Sequence, residues 1–357
     1  MLRRRDLVSG ALAAALGHEA VASPLEPYAL FERFPRLDGR VPRVPLGAFP
    51  TPVEEATDLG RALGCGLWIK RDDVSGEAYG GGKVRKLELF LGDALRRAEA
   101  RGSGERLVVT FGGVGSNQAV ATAIYGAKLG LSVRLWLAPQ PASDLVTENL
   151  ARLAESSADV RRCDGVADAE SKALREAARD PTQYVIPAGG TSPLGTLSFV
   201  SAGLELAADF RAGRVPLPAR IYAALGSGGS VVGLSLGLAI ANVDTTIVAV
   251  RASSPETSSV SRLRAHAERT IAFARSLDAS FPDVERPLAN VAIEGRFLGA
   301  GYGAPTREGE RARALAREVG LVLEPVYTAK TLAALAADAK SGARGPALFI
   351  DSQSSRR

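Results

Sequence analysis

Sulfur and imidazole are scarce in this chain of 357 residues, which holds two cysteines, Cys65 and Cys163, two histidines, His18 and His266, and one methionine. The cysteines stand in different segments and form no C-x-x-C pair. Neither a zinc site nor a disulfide framework is therefore indicated, and two buried free thiols are expected. Neither histidine sits in a motif, which argues against Ser-His-Asp hydrolysis and against histidine-based metal chemistry. No metal is expected. Aromatic residues make up 6% of the chain, and no long basic block interleaves with them. The net charge of +5 is spread over 44 basic and 39 acidic side chains, so it reads as an Arg-rich surface and not as a nucleic-acid site. No later segment looks membrane-spanning. With 46% hydrophobic and 23% charged residues, the composition is that of a soluble globular protein, long enough for two or three domains.

The N-terminus differs from the rest. Arg3-Arg4-Arg5-Asp6-Leu7 precedes a mildly apolar stretch, Val8–Gly17, and Ala20-Val21-Ala22 offers a small-residue cleavage signal. Residues 1–22 read as a signal peptide of the twin-arginine type, which implies a periplasmic or exported protein. A disordered leader or a misassigned start, on a cytoplasmic protein, is the alternative.

Downstream, strand and helix patterns alternate. Strands are expected at Leu67–Lys70, Leu107–Phe111, Val133–Leu137, Tyr184–Ile186, Ile221–Leu225, Ile247–Arg251 and Ala347–Asp351. Helices are expected near Val84–Glu99, Asn117–Leu129, Leu145–Glu155, Ala167–Ala178, Leu194–Phe210, Val231–Ala241, Gly309–Val319 and Thr331–Ala339. Phe34–Pro52 reads as loop and short strand. Runs such as Ile247-Val248-Ala249-Val250 suit strands buried on both faces. The fold class is α/β, with parallel sheets and helices on both faces, and ligands gather at the carboxyl ends of such strands.

Glycine turns sit at those ends. Gly226-Ser227-Gly228-Gly229-Ser230 follows a strand and opens a helix, where backbone N–H groups and the helix dipole favour an anion. It is neither a dinucleotide fingerprint, since Val231 takes the third position, nor a Walker loop. A tight turn is the plain alternative, but an unbroken run of small residues exceeds what a turn needs. Gly80-Gly81-Gly82-Lys83-Val84-Arg85-Lys86-Leu87-Glu88 puts a lysine at a loop-to-helix junction. The charges of Arg85 and Lys86 are expected to lower the pKa of Lys83 and free its amine. On spacing alone, a solvated surface lysine is the slightly favoured reading. Taken together, an amine and a phosphate cradle are what pyridoxal phosphate needs. Gly112–Gln118 is a third turn, where Ser116 or Asn117 suits an N-cap and open amides would also suit an anion.

From Phe34 to Gln353 the chain resembles the fold-type II pyridoxal-phosphate family of D-cysteine desulfhydrase and 1-aminocyclopropane-1-carboxylate deaminase, which has the tryptophan synthase beta-like fold. The likeness rests on Ile69-Lys70-Arg71-Asp72-Asp73, Gly81–Glu88, Ser116-Asn117, Ile186–Thr191 with Gly195, Gly226–Ser230, Gly301-Tyr302-Gly303, and Glu324-Pro325-Val326-Tyr327-Thr328. The resemblance implies a large cofactor-binding domain over 23–80 and 196–357, a small domain over 81–195, and a homodimer. It implies that Lys83 is the Schiff-base lysine and the base at the substrate's α-carbon. Gly226, Ser227, Gly228, Gly229 and Ser230 would hold the phosphate, Asn117 the phenolic oxygen, and Ser352 would face the pyridine nitrogen. Ser116, Asn117, Gln118, Tyr302 and Tyr327 would meet the substrate, with Ser116 and Tyr327 also catalytic. The chain departs from the family pattern at Gly82, Gly115 and Gln118, and lacks its glycine-rich segment after the last strand. The implied activity is a lyase reaction on a small amino acid, giving pyruvate, ammonia and, from D-cysteine, sulfide. Thr328 after Tyr327 resembles the desulfhydrase; the deaminase typically carries Glu there. The alternatives are the deaminase and a homologue that binds cofactor without turnover.

Overall fold

The structure, a computed structural model, describes residues 28–102 and 106–355. The expected leader falls outside the described residues. The Pro-rich stretch after α1 (Ala29–Arg33) is a short 3-10 turn and irregular chain with no strand, followed by β1 (Val53–Glu55), α2 (Thr57–Leu63) and β2 (Leu67–Arg71). The lysine-bearing helix α3 (Gly82–Ala100) then leads into β3 (Leu107–Gly113), α4 (Asn117–Lys128), β4 (Ser132–Ala138), α5 (Asp144–Ala154), β5 (Asp159–Arg162), α6 (Val166–Arg179) and β6 (Tyr184–Ile186). The second half runs α7 (Pro193–Arg211), β7 (Arg220–Leu225), α8 (Gly229–Ile240), β8 (Thr246–Arg251), α9 (Val260–Leu277), β9 (Val291–Glu294), α10 (Arg307–Glu318), α11 (Thr328–Lys340) and β10 (Ala347–Asp351).

The strands form two sheets. One is four-stranded and parallel, in the order β5-β4-β3-β6. The other is six-stranded, in the order β1-β2-β10-β7-β8-β9, and parallel except for β1. The last strand, β10, therefore lies inside this sheet, with Phe349 opposite both Ile69 and Tyr222.

Strand periodicity explains why helices cover both faces. Ile221, Ala223 and Leu225 of β7 join the core built with α7, α8 and α9, whereas Tyr222 joins the core built with α10 and α11. The smaller sheet divides likewise: Val108 packs with α3 and α4, while Leu107, Val109 and Phe111 pack with Ala169 and Ala173 of α6. No helix among the described residues is long and apolar enough to cross a membrane. No cluster of three histidine, cysteine, aspartate or glutamate side chains there could hold a metal.

Strands β1, β5 and β9 and helices α1, α2 and α9 go beyond the sequence expectation. All three strands are sheet edges, which tolerate charge, and Asp159-Val160-Arg161-Arg162 has a single apolar residue. Helix α9 buries a stripe of Leu263, His266, Ala267, Thr270, Ile271 and Ala274, too small and polar to announce itself among its arginines. Both thiols are free, but only Cys163 is buried; Cys65 is half-buried.

Candidate active site

The carboxyl ends of β3, β7 and β10, from both sheets, converge on one cavity of about 330 Å³. Lys83, Ser116, Asn117, Gln118, Gly226–Ser230, Tyr302, Tyr327 and Ser352 all line it. Residues scattered over most of the chain thus share one chamber, where strand ends of both sheets face one another.

Lys83 owes its place to backbone geometry. Gly81 has φ +96°, and a side chain there would meet the Ser352 carbonyl at 2.7 Å. The next amide, Gly82 N–H, donates to that carbonyl at 3.0 Å, so the start of α3 is bound to the chain just after β10. Lys83 Nζ then donates to the Gly189 carbonyl at 3.1 Å. Burial lowers its pKa to about 8. The expected role of Lys86 and Arg85 in that shift is overturned, since burial is its cause. The Arg85 guanidinium points away and is clamped between Asp72 and Glu205 at 2.8 Å each. Lys70 adds a contact to Glu205 at 3.3 Å, and Thr51 bonds Asp72 at 2.7 Å. Burial alone would raise Asp72, but Arg85 holds its carboxyl below the usual range. This buried cluster is what the Lys70–Asp73 segment and Arg85 build.

Lys86, one helical turn on, also lines the cavity, a place its sequence motif does not single out. Its Nζ donates to the same Gly189 carbonyl at 2.9 Å, and burial, then the charge of Lys83, hold its pKa well below the ordinary lysine value. It also reaches the glycine cradle: a Cβ on Gly229 would lie 3.2 Å from Lys86 Nζ, 3.0 Å from Thr191 Oγ1 and 3.1 Å from Thr196 Oγ1. The i, i+3 spacing from Lys83 was the signal available for it. Thr191 bonds Ser227 at 2.6 Å, and Thr196 bonds His266 at 2.7 Å, whose pKa burial, Arg269 and Lys86 lower to about 4. The start of α8 therefore offers N–H groups, hydroxyls and an amine to an anion, in a hollow a single methyl would fill. These donors fit a phosphate group.

Tyr327 and Tyr302 stand together, hydroxyls 3.3 Å apart and rings edge to face at 6.2 Å. A Cβ on Gly226 would sit 3.1 Å from the Tyr327 ring, so glycine there makes room for the aromatic wall. Glu324 sets the turn by accepting from the backbone N–H groups of Val326, Tyr327 and Thr328 at 2.6 to 2.7 Å. Thr328 turns inward to that cap, its hydroxyl accepting from Glu324 N at 3.0 Å.

At the third turn the capping question resolves. Ser116 is the N-cap of α4, its hydroxyl accepting from Ala119 N at 3.3 Å. Asn117 is free for other work and is held by three side chains: Tyr79, Asn149 and Gln353. Gln118 is buried with Nε2 on Thr122 Oγ1 at 3.1 Å, and its Oε1 has no partner.

The pyridoxal-phosphate dependent enzyme family matches residues 44–351 of this chain. The chain belongs to that family. Its members depend on the cofactor whose phosphate the α8 cradle fits. D-cysteine desulfhydrase of Yersinia pestis (strain Pestoides F) is 35% identical over 330 residues, covering 89% of this chain and 93% of that protein. The crystal structure of an ACC deaminase homologue superposes with a TM-score of 0.74 at 30% identity, covering 92% of this chain and 95% of the other. A threonine deaminase isoform of Solanum lycopersicum, at 17% identity and a TM-score of 0.57 over 96% of this chain and 91% of its own, shares the fold. The chain is thus a fold-type II pyridoxal-phosphate enzyme.

Proposed function

We propose that this pyridoxal-phosphate enzyme acts as a D-cysteine desulfhydrase-type lyase, converting D-cysteine and water to pyruvate, hydrogen sulfide and ammonia. The observation that carries this reading is Lys83, an amine with its pKa lowered to about 8, in one cavity with the tyrosine pair and the phosphate cradle. The 35% identity to the Yersinia desulfhydrase supports the substrate.

Lys86, Gly226–Ser230, Thr191 and Thr196 would hold the phosphate, Asn117 would donate to the phenolic oxygen, and Ser352 would face the ring nitrogen. When bound, the cofactor supplies an electron sink for negative charge at the substrate's α-carbon. Lys83 would carry the cofactor and then, as the neutral amine, take the α-proton. Ser116 and Gln118 would border the substrate carboxylate. The Tyr302–Tyr327 hydroxyl pair would stand over the reacting carbons, and burial raises both hydroxyls above the usual tyrosine value, so they stay protonated and act as donors. A protonated hydroxyl there suits delivery of a proton to a departing thiolate.

Deaminase action on the cyclopropane substrate is the second reading, favoured by the likeness to the ACC deaminase homologue. Against it, position 328 is a threonine whose hydroxyl is spent on the Glu324 cap. The test is to load the protein with pyridoxal phosphate, record its visible band, add D-cysteine or the cyclopropane amino acid, and assay sulfide, pyruvate and 2-oxobutyrate. Sulfide and pyruvate from D-cysteine are expected; 2-oxobutyrate alone would establish the deaminase. Lys83→Ala should lower turnover at least about a thousandfold, the scale of losing a nucleophile or base. The two-domain division at 81–195 and the homodimer belong to this same reading, and the dimer is checked by light scattering. The export proposal for residues 1–22 is checked by the mass of the protein in cell fractions.

A further inference from the structure

Asn117, Tyr79, Asn149 and Gln353 form one network, and a backbone group settles the direction of the bonds that run through its amides. Asn149 Nδ2 donates to the Gly115 carbonyl at 2.9 Å, and that oxygen can only accept. The same Nδ2 must then donate to Asn117 at 3.0 Å, so the atom it meets is Oδ1. Tyr79 donates to that oxygen too, at 3.2 Å, which fills both of its lone pairs. The other terminal atom of Asn117 is therefore Nδ2, and it donates to Gln353 Oε1 at 2.5 Å. Tyr79 and Gln353 therefore hold the two ends of the Asn117 amide, one at its oxygen and the other at its nitrogen. Asn117 is left with one hydrogen-bonding group for the cavity it lines, an N–H.

We propose that Gln353 is the positioning residue that holds the Asn117 amide with its N–H toward the cofactor's phenolic oxygen. This rests on the cofactor reading above. Gln353 is 8% exposed and stands where β10 gives way to the chain's last residues, 236 positions from Asn117. It borders the active-site cavity and a second, polar cavity of about 340 Å³ that Asn149 and Arg313 also line. Truncating it would remove the acceptor that orients Asn117 and admit water from that second cavity. A loosened donor stabilises the ionised phenolic oxygen less, so protons leave the bound cofactor at higher pH.

The test is a pH titration of the visible band of the cofactor-loaded protein, with thermal melts of the same samples. Q353A should keep the cofactor, because Lys83 and the glycine cradle are untouched, and should raise the midpoint by about one pH unit, a tenfold change in the protonation equilibrium. Q353E keeps an acceptor oxygen at that place and should return the midpoint toward the unsubstituted protein. Should Q353A fail to fold, Y79F removes the hydroxyl that holds the other end of the Asn117 amide and must shift the midpoint in the same direction. An unmoved midpoint in Q353A, or in Y79F where that variant stands in, overturns the role of Gln353. Absence of any visible band from the unsubstituted protein overturns the cofactor reading and this proposal with it.

Discussion

Lys83 shows how much one residue's chemistry depends on where its helix begins. With its pKa at about 8, roughly a tenth of the amine is neutral at pH 7, against about one in three thousand for a lysine at the ordinary value. The sign is that of a buried cation: desolvation disfavours the charged form, so the reactive form gains as pH rises through 8. Capture of pyridoxal phosphate by the cofactor-free protein should therefore accelerate about tenfold per pH unit below 8 and level off above it. A stopped-flow absorbance series checks this, and a midpoint near 10 would show that Lys83 is solvated. Arg85, two residues on, does a different job. Replacing it by alanine leaves the buried Asp72 without its guanidinium and Glu205 with Lys70 as its remaining cation, and should cost about 3–5 kcal/mol, read from denaturant unfolding. Adjacent basic residues in one motif thus divide into an active-site amine and a structural clamp. Their spacing could not separate them, because helix rotation decides which faces the cavity.

At the level of elements, α7 and α8 meet through glycines. A Cβ on Gly237 would lie 2.4 Å from the Val200 carbonyl, and one on Gly233 would lie 2.5 Å from Phe199 Cβ. Backbone cannot yield as a side-chain tip can, so Gly237→Ala should destabilise by about 1–3 kcal/mol, lowering the melting temperature of the cofactor-free protein. An unchanged melt would mean that the two helices slide apart without cost. The close approach matters to the site because α8 begins at the anion cradle. Element boundaries were legible where an apolar run was unbroken: Tyr184–Ile186 and Ala347–Asp351 are strands with the limits their pattern indicates. Strand β5 and the Arg-rich α9 were not, because β5 has a single apolar residue and the buried stripe of α9 is made mostly of small or polar side chains, so neither displays the apolar period that local reading depends on.

In the whole molecule, the chain's last described residues bind the site together. Ser352 O accepts from Gly82, Ser354 Oγ accepts from Gly80 at 2.9 Å, and Ser355 N donates to the Asp73 carbonyl at 3.2 Å. Truncation after Asp351 should leave far-UV circular dichroism nearly unchanged yet abolish tight cofactor binding, which a fluorescence titration reads; undiminished binding would show that these contacts are dispensable. Much of this protein was settled by sequence alone. The α/β alternation, the glycine turns, the lysine at a helix start and the Glu324–Thr328 motif are local patterns, and local patterns follow from backbone sterics and the burial of apolar faces. Tertiary structure alone decided which strands are neighbours, placing β10 between β2 and β7. It also decided which basic residues face the cavity and which amide donates to which. Those outcomes depend on groups far apart in the chain, such as Ile69 and Phe349 or Asn117 and Gln353, whose meeting is set by packing and hydrogen-bond pairing and not by any spacing a sequence displays.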